Sequence, residues 1–158
     1  MQYRSLSPCN AEVSFSEAVI QGQASDGGLF FPLNIPYDQR YRDFNKCFES
    51  PSELATSLLA PMLSPEIDSQ VLRQICDDAF NFDFPLIQLD QNLWVLELFH
   101  GPSAAFKDVG ARFLSRLLSQ LGRNKITILV ATSGDTGGAV AAGFHNIPNV
   151  EVVILYPK

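Results

Sequence analysis

The sequence predicts an α/β fold in which a mainly helical amino-terminal segment, residues 1–84, is followed from residue 85 by a partial parallel sheet with flanking helices. Three observations predict it. The runs "LWVLELF", "ITILVA" and "VEVVILYP" are short, β-rich and mostly without alternation, the pattern of parallel strands buried on both faces. The stretches between them have helical periodicity, and so do most of the residues before 85. With 158 residues, 46% hydrophobic and 18% charged, the chain has the composition and length of one globular domain or two small ones.

Taken in order, "VSFSEAVIQG" opens a helix in which Ser14 and Glu17 have capping-box spacing, Phe15, Ala18 and Val19 make an apolar face, and Gly22 stops it. A turn at Asp26-Gly27-Gly28 follows. "SPSELATSLLAPML" reads as a helix with Ser50 or Ser52 near its start and Pro61 disturbing its end. For the next helix Ser64 is the expected cap and Pro65 suits the first turn, with Ile67, Val71, Leu72, Ile75, Cys76, Ala79 and Phe80 at helical spacing, so Cys76 reads as core. Between the first two strands, Val109, Phe113, Leu114, Leu117, Leu118 and Leu121 form one stripe, with Arg112, Arg116 and Ser119 turned away and Gly122 at the end. "TGGAVAAGFHNI" is rich in small residues and can approach the sheet closely. Strand, helix, strand, helix, strand implies right-handed crossovers.

Charge and cysteine usage exclude several function classes. The net charge of −6 is uneven: residues 1–100 hold 5 Lys and Arg against 14 Asp and Glu, while residues 101–158 hold 6 against 3. Neither part shows the dense basic stripe of a nucleic-acid binder, and the modest positive balance around Lys107 suits a small anion. Cys9, Cys47 and Cys76 are odd in number and widely spaced, which argues against a disulfide framework or a zinc site. No metal site is expected. With no long apolar run and no signal-peptide layout in "MQYRSLSPCN", the expected location is the cytoplasm, with no membrane association. The last run, "VEVVILYPK", has no following helix to cover it, so the chain reads as part of a longer protein.

Two strand ends carry unusual loops, at the position where open α/β sheets bind ligands. These are "HGPSAAFKD" after Phe99 and "TSGDTGG" after Ala131, and both lead into helix starts, where free N–H groups and the helix dipole favour anions. The second loop matches neither the dinucleotide fingerprint nor the phosphate-binding loop that requires Gly-Lys. Its hydroxyls, Ser133 and Thr136, and its glycine-freed amides suit a carboxylate or phosphate; the plain alternative is a glycine-rich turn capped by Asp135 or Thr136. Lys107 stands at the start of a helix beside Phe106 and Val109. The dipole and the apolar neighbours both act against the charged amine there, which suits a nucleophilic lysine; the plain alternative is an ordinary solvated surface lysine.

"ELFHGPSAAFKDVGARF" resembles the cofactor-lysine motif of the threonine synthase family, and "ATSGDTGGAV" resembles the loop with which fold-type II pyridoxal-phosphate enzymes hold substrate and cofactor. "VSFSEAVIQG" with "GLFFP" is similar to the family's leader region, and the likeness runs from residue 3 to 158. The resemblance implies an amino-terminal portion of such an enzyme. Residues 85–158 would then begin the pyridoxal-5′-phosphate domain, incomplete at its carboxyl end. Lys107 becomes the Schiff-base lysine and proton shuttle, with Phe106 near the cofactor ring. Ser133, Gly134, Asp135, Thr136 and Gly137 form the loop beside the cofactor. Substrate contacts are implied for Ser133, Thr136 and Ser103, which stands where the family usually has threonine. His100 either touches the substrate phosphate from the first loop or is satisfied by backbone, and His145, at a helix end, reads as structural. Related enzymes place asparagine where Asp135 stands, so Asp135 is expected either to be neutral or to face elsewhere.

The reaction implied is conversion of O-phosphohomoserine and water to threonine and phosphate, with the 158-residue chain inactive alone. Two other readings remain open: another fold-type II enzyme, such as an amino-acid dehydratase or a sulfhydrylase-like synthase, and a non-catalytic binding or interaction module.

Overall fold

The computed structural model describes residues 1–7, 12–36, 48–122, 124–132 and 134–156; Cys9, Cys47 and Ser133 lie outside the described residues. Two compact units are present, Met1–Gln74 and Ile75–Lys158.

In the first unit a three-stranded antiparallel sheet has β1 (Gln2–Ser5) at its centre, with β2 (Glu12–Ser14) on one side and β3 (Phe30–Pro32) on the other. Strands of three and four residues are too short to show alternation, so residue pattern alone does not reveal them. Tyr3 and Phe15 are both buried, with ring centroids 5.7 Å apart. Helix α1 (Phe15–Gln21) begins with the expected capping box. The Ser14 hydroxyl accepts from the Glu17 N–H at 3.2 Å and the Glu17 carboxylate accepts from the Ser14 N–H at 2.8 Å, while Gly22 ends the helix at φ +69°.

A second carboxylate holds the same helix start from 50 residues away: Glu66 accepts from the Phe15 N–H at 3.0 Å and the Ser16 N–H at 2.9 Å. These are amides that an α-helix cannot pair internally. Burial acts to raise the Glu66 carboxyl. The Ser16 and Phe15 amides, the Ser16 hydroxyl and the amino-terminal ammonium outweigh it, so it lies below its ordinary value.

Helix α2 (Pro51–Leu63) starts after Ser50, which accepts from the Glu53 N–H, and it continues two residues past Pro61. Ser64 closes α2 and does not open the next helix. Helix α3 (Ser69–Ala79) starts after Asp68, whose carboxylate accepts from the Gln70 N–H at 2.8 Å, so its start lies about one turn later than the sequence suggests. Leu72, Ile75, Cys76 and Ala79 are buried as expected.

The second unit departs from the expected sheet. "LWVLELF" does not join a parallel sheet: β5 (Leu93–Leu96) pairs antiparallel with β4 (Leu86–Asp90) in a hairpin turning at Gln91-Asn92. Among the described residues only β6 (Ile126–Ala131) and β7 (Val150–Leu155) are parallel, in register from Ile126 opposite Val150 to Ala131 opposite Leu155. Their residues alternate between half-buried and exposed instead of being buried on both faces.

Helix α4 (Asp108–Leu121) packs on α5 (Asp135–Phe144), the crossover between β6 and β7. The small-residue expectation holds at Gly143, where an added Cβ would lie 3.1 Å from the carbonyl carbon of Ala111. The Ser115 hydroxyl and Arg116 donate to the Gly143 carbonyl at 2.7 and 2.8 Å, satisfying an acceptor that a helix end leaves open. Arg112 and Ser115 are buried, correcting the expected stripe, in which Arg112 faced away. The Arg112 guanidinium donates to the carbonyls of Ala79 and Asp78 and to the Asn81 side chain, at 2.6 to 2.9 Å, so it closes the carboxyl end of α3. Burial and Arg116 lower its affinity for the proton, opposed by Asp78 and Asp108.

Four consequences are measurable by denaturant unfolding. Gly143→Val is expected to destabilise the fold by about 1–3 kcal/mol through overpacking against backbone. Gly110→Ala, where a Cβ meets open space, is expected to stabilise it by about 0.5–1 kcal/mol. Glu66→Ala is expected to cost about 1–2 kcal/mol through two lost charge-assisted bonds. Because the folded Glu66 carboxyl lies below its ordinary value, its contribution is present above the unfolded carboxylate range, about 4.3, and is lost as pH falls through the folded value. Unfolding of Glu66→Gln is expected to show a weaker acid dependence than the parent.

Candidate active site

The first loop leaves β5 and is tethered where the Glu97 N–H donates to the Pro85 carbonyl at 2.9 Å. The His100 ring lies 2.7 Å from the Glu97 carboxylate and stacks on Phe99, with centroids 4.8 Å apart, and is exposed. Of the two expected satisfactions of His100, backbone pairing is replaced by a carboxylate. A tight turn follows, with the Ala104 N–H donating to the Gly101 carbonyl at 3.0 Å and Ala104 at φ +55°, a left-handed conformation that costs a non-glycine residue about 1–2 kcal/mol. Such strain persists only where surrounding contacts over-determine it. Here they come from Asp108, fully buried, whose carboxylate accepts from the Ser103 N–H at 2.8 Å.

Lys107 is the residue immediately before α4, at its amino-terminal cap, and no side chain caps this helix. Its Nζ lies 4.3 Å from the centroid of the Phe106 ring, within cation–π range, and among the described residues it has no ion-pair partner. Phe106 is 60% exposed. The other described lysine, Lys125, is tied to Glu151 at 2.7 Å.

The second loop leaves β6, with the Thr132 N–H donating to the Leu155 carbonyl at 3.1 Å. The cap of α5 is Gly134, in extended backbone, and not Asp135 or Thr136 as expected. A glycine supplies no capping oxygen, so among the described residues no side chain caps the start of α5. Asp135 is exposed and, among the described residues, has no hydrogen-bond or ion-pair partner; Ser133 lies outside them. Gly137 is buried where an added Cβ would lie 2.7 Å from the Thr132 methyl and 3.4 Å from the Tyr156 hydroxyl, so only glycine lets α5 start this close to the strand ends.

The two loops meet. The Cβ of Ser103 lies 4.0 Å from the position a Cβ would take on Gly138, and the Ser103 hydroxyl oxygen is buried and without a hydrogen-bond partner among the described residues. Lys107, Phe106 and Thr136 line one cavity of about 600 Å³, with Leu114, Ile128, Val130 and Phe144 among its apolar walls. That volume suits a small organic ligand. His100, Asp135 and Gly137 are not part of its lining. Sequence reasoning missed Gly101, Ala104 and Asp108, which shape the first loop; an acidic residue at a helix start is too common to single out.

A family described as "Threonine synthase N terminus" matches residues 2–80. The threonine synthase of Haemophilus influenzae is 46% identical over 149 residues, 93% of this chain and 34% of that protein. Among solved structures, the threonine synthase of Escherichia coli superposes with a TM-score of 0.89 at 40% identity, over 100% of this chain and 37% of its own. The pyridoxal-phosphate-bound threonine synthase of Brucella melitensis superposes at 0.93 with 36% identity, over 100% of this chain and 36% of its own. The chain thus spans about a third of the length of the relatives it matches. The likeness extends over both loops as well as the amino-terminal segment, and the chain belongs to the threonine synthase family, with the fold of its fold-type II members.

Proposed function

We propose that this chain carries the lysine-bearing part of an enzyme that converts O-phosphohomoserine and water to threonine and phosphate with pyridoxal 5′-phosphate. The observation that carries the reading is the shared cavity of Lys107 and Thr136, open between two helix starts that have no capping side chain among the described residues.

The residues present fit that cofactor. An aldehyde needs an amine without an ion-pair partner, a planar ring needs apolar walls, and Lys107, Phe106 and Leu114 supply them. The buried, unpartnered Ser103 hydroxyl leaves one further hydrogen bond to be made beside the second loop. When bound, the cofactor supplies an electron sink for the carbanion left by loss of the substrate's α-proton.

The chain's own groups then have separate tasks. Lys107 anchors the cofactor and, from its Nζ, takes and returns protons at neighbouring substrate carbons. Phe106 presents a ring face beside that amine. Gly134, Thr136 and Gly137 offer amides and a hydroxyl to a substrate carboxylate at the start of α5, where the dipole favours an anion, and the family resemblance assigns Ser133 the same task. Ser103 donates its hydroxyl to the substrate from the first loop. His100, held by Glu97 at the entrance of that loop, is the group assigned to the substrate phosphate. The exposure of Asp135 supports the view that it is turned away from the cofactor.

Reduction with borohydride in the presence of pyridoxal phosphate, followed by peptide mass spectrometry, is expected to label Lys107 well above Lys125. Loss of the label in Lys107→Ala is expected together with loss of the bound-cofactor absorbance; an unchanged absorbance in that variant rules out Lys107 as the anchor. The 158-residue chain alone is expected to release no phosphate from O-phosphohomoserine, whereas a chimera continuing it with the carboxyl-terminal part of the Escherichia coli threonine synthase is expected to do so. A chimera that instead deaminates or thiolates amino acids without releasing phosphate would support a different fold-type II activity.

A further inference from the structure

We propose that Asp108 is a positioning residue for Lys107: its buried carboxylate clamps the Gly101–Ala105 turn onto the start of α4 and so fixes the lysine beside the second loop. The inference rests on the cofactor role proposed for Lys107.

Asp108 is 0% exposed, yet only one of its oxygens has a partner, the Ser103 N–H at 2.8 Å; the other is buried with none among the described residues. A fully buried carboxylate with so few hydrogen bonds is costly unless the surrounding fold uses it. Three features show what it holds. Gly101 lies against it so closely that an added Cβ would come within 2.5 Å of Oδ2 and 3.0 Å of Cγ, so carboxylate and glycine backbone fill one another's space. Between them the chain passes through Ala104 in a left-handed conformation and the buried Ala105, whose carbonyl accepts from the Asp108 N–H at 3.1 Å. Finally, Ser103 is the residue whose N–H is clamped and whose Cβ faces Gly138 at the start of α5.

The clamp therefore spans the residues on both sides of Phe106 and Lys107. With Ser103 held from one side and α4 starting on the other, the backbone of Lys107 has little freedom, and its amine is delivered to the cavity it shares with Thr136. The negative charge belongs at this place, in the first turn of a helix and one turn before the buried Arg112, so α4 itself tolerates it. Asparagine would keep the acceptor for the Ser103 N–H; alanine would remove it.

Competitive labelling tests the clamp. Wild-type chain, Asp108→Asn, Asp108→Ala and Gly101→Ala are each incubated with limiting pyridoxal phosphate and reduced with borohydride, and the Lys107 to Lys125 labelling ratio is read by mass spectrometry alongside far-UV circular dichroism. The expected result is a roughly tenfold fall in the ratio for Asp108→Ala at unchanged helicity, and a ratio within about twofold of wild type for Asp108→Asn. Gly101→Ala, which pushes the carboxylate away without altering it, is expected to follow Asp108→Ala and carries the test if the latter does not fold. A ratio in Asp108→Ala and Gly101→Ala within twofold of wild type overturns the proposal, as does an equal fall in Asp108→Asn. If wild type itself labels Lys107 no more than Lys125, the cofactor role of Lys107 fails, and the positioning role with it.

Discussion

Within the Ile75–Lys158 unit, the crossing of α4 and α5 at Gly143 sets where everything else can be. With no side chain at that position, α5 rests on the backbone of Ala111 and Arg112, and two donors from α4 close on the Gly143 carbonyl. Helices that approach this closely cannot slide without breaking contacts along their whole length, because packed interiors are dense and not fluid. The starts of both helices are thereby fixed. The loops that lead into them are held against each other at Ser103 and Gly138.

Helix α4 is held at two points by buried charge, in opposite ways. At its start Asp108 draws in the Ser103 N–H and leaves one oxygen without a partner among the described residues. One turn later Arg112 is satisfied by three acceptors at and beyond the end of α3. Removing either charge leaves its partners desolvated, which costs more than the net worth of the bonds themselves. The arrangement leaves Lys107, between the clamped turn and the helix, as an amine with no competing carboxylate among the described residues. Lys125, tied to Glu151 at the surface, shows what an ordinary lysine in this chain looks like.

Much of this was legible from residue types and spacing. The capping box at Ser14 and Glu17 and the stop at Gly22 rest on interactions within a few residues, and the core position of Cys76 and the small-residue character of α5 follow from helical spacing and composition, all of which local sequence carries directly. The error about Arg112 has a different source. Helical periodicity marks a charged residue as outward-facing, but the helix-end carbonyls that draw Arg112 inward belong to a helix some thirty residues earlier. The strand error is of the same kind: "LWVLELF" has the composition of a buried parallel strand, yet its neighbour across the turn, Leu86–Asp90, pairs with it locally. Phe106 entered through the family resemblance, while Lys107 and Thr136, which line the same cavity, were legible, because lysine at a helix start and a hydroxyl in a glycine-rich turn carry chemical signals. Asp108 and Gly101 were not. Their importance lies in a contact of backbone with a buried carboxylate, and no pattern of residue types announces it.

The central claim is that the two loops are neighbours in the folded chain. A chain carrying Ser103→Cys and Gly138→Cys, with Cys9 and Cys47 replaced by serine, tests it by oxidation and mass spectrometry. The 4.0 Å separation of the Cβ positions lies within the range that a disulfide requires, about 3.5–4.5 Å. The account expects this pair to close readily, and the control pair Ser103→Cys with Asn146→Cys, beyond the far end of α5, to stay reduced under the same conditions. Failure of the first pair to close, or equal closure of both, would contradict it.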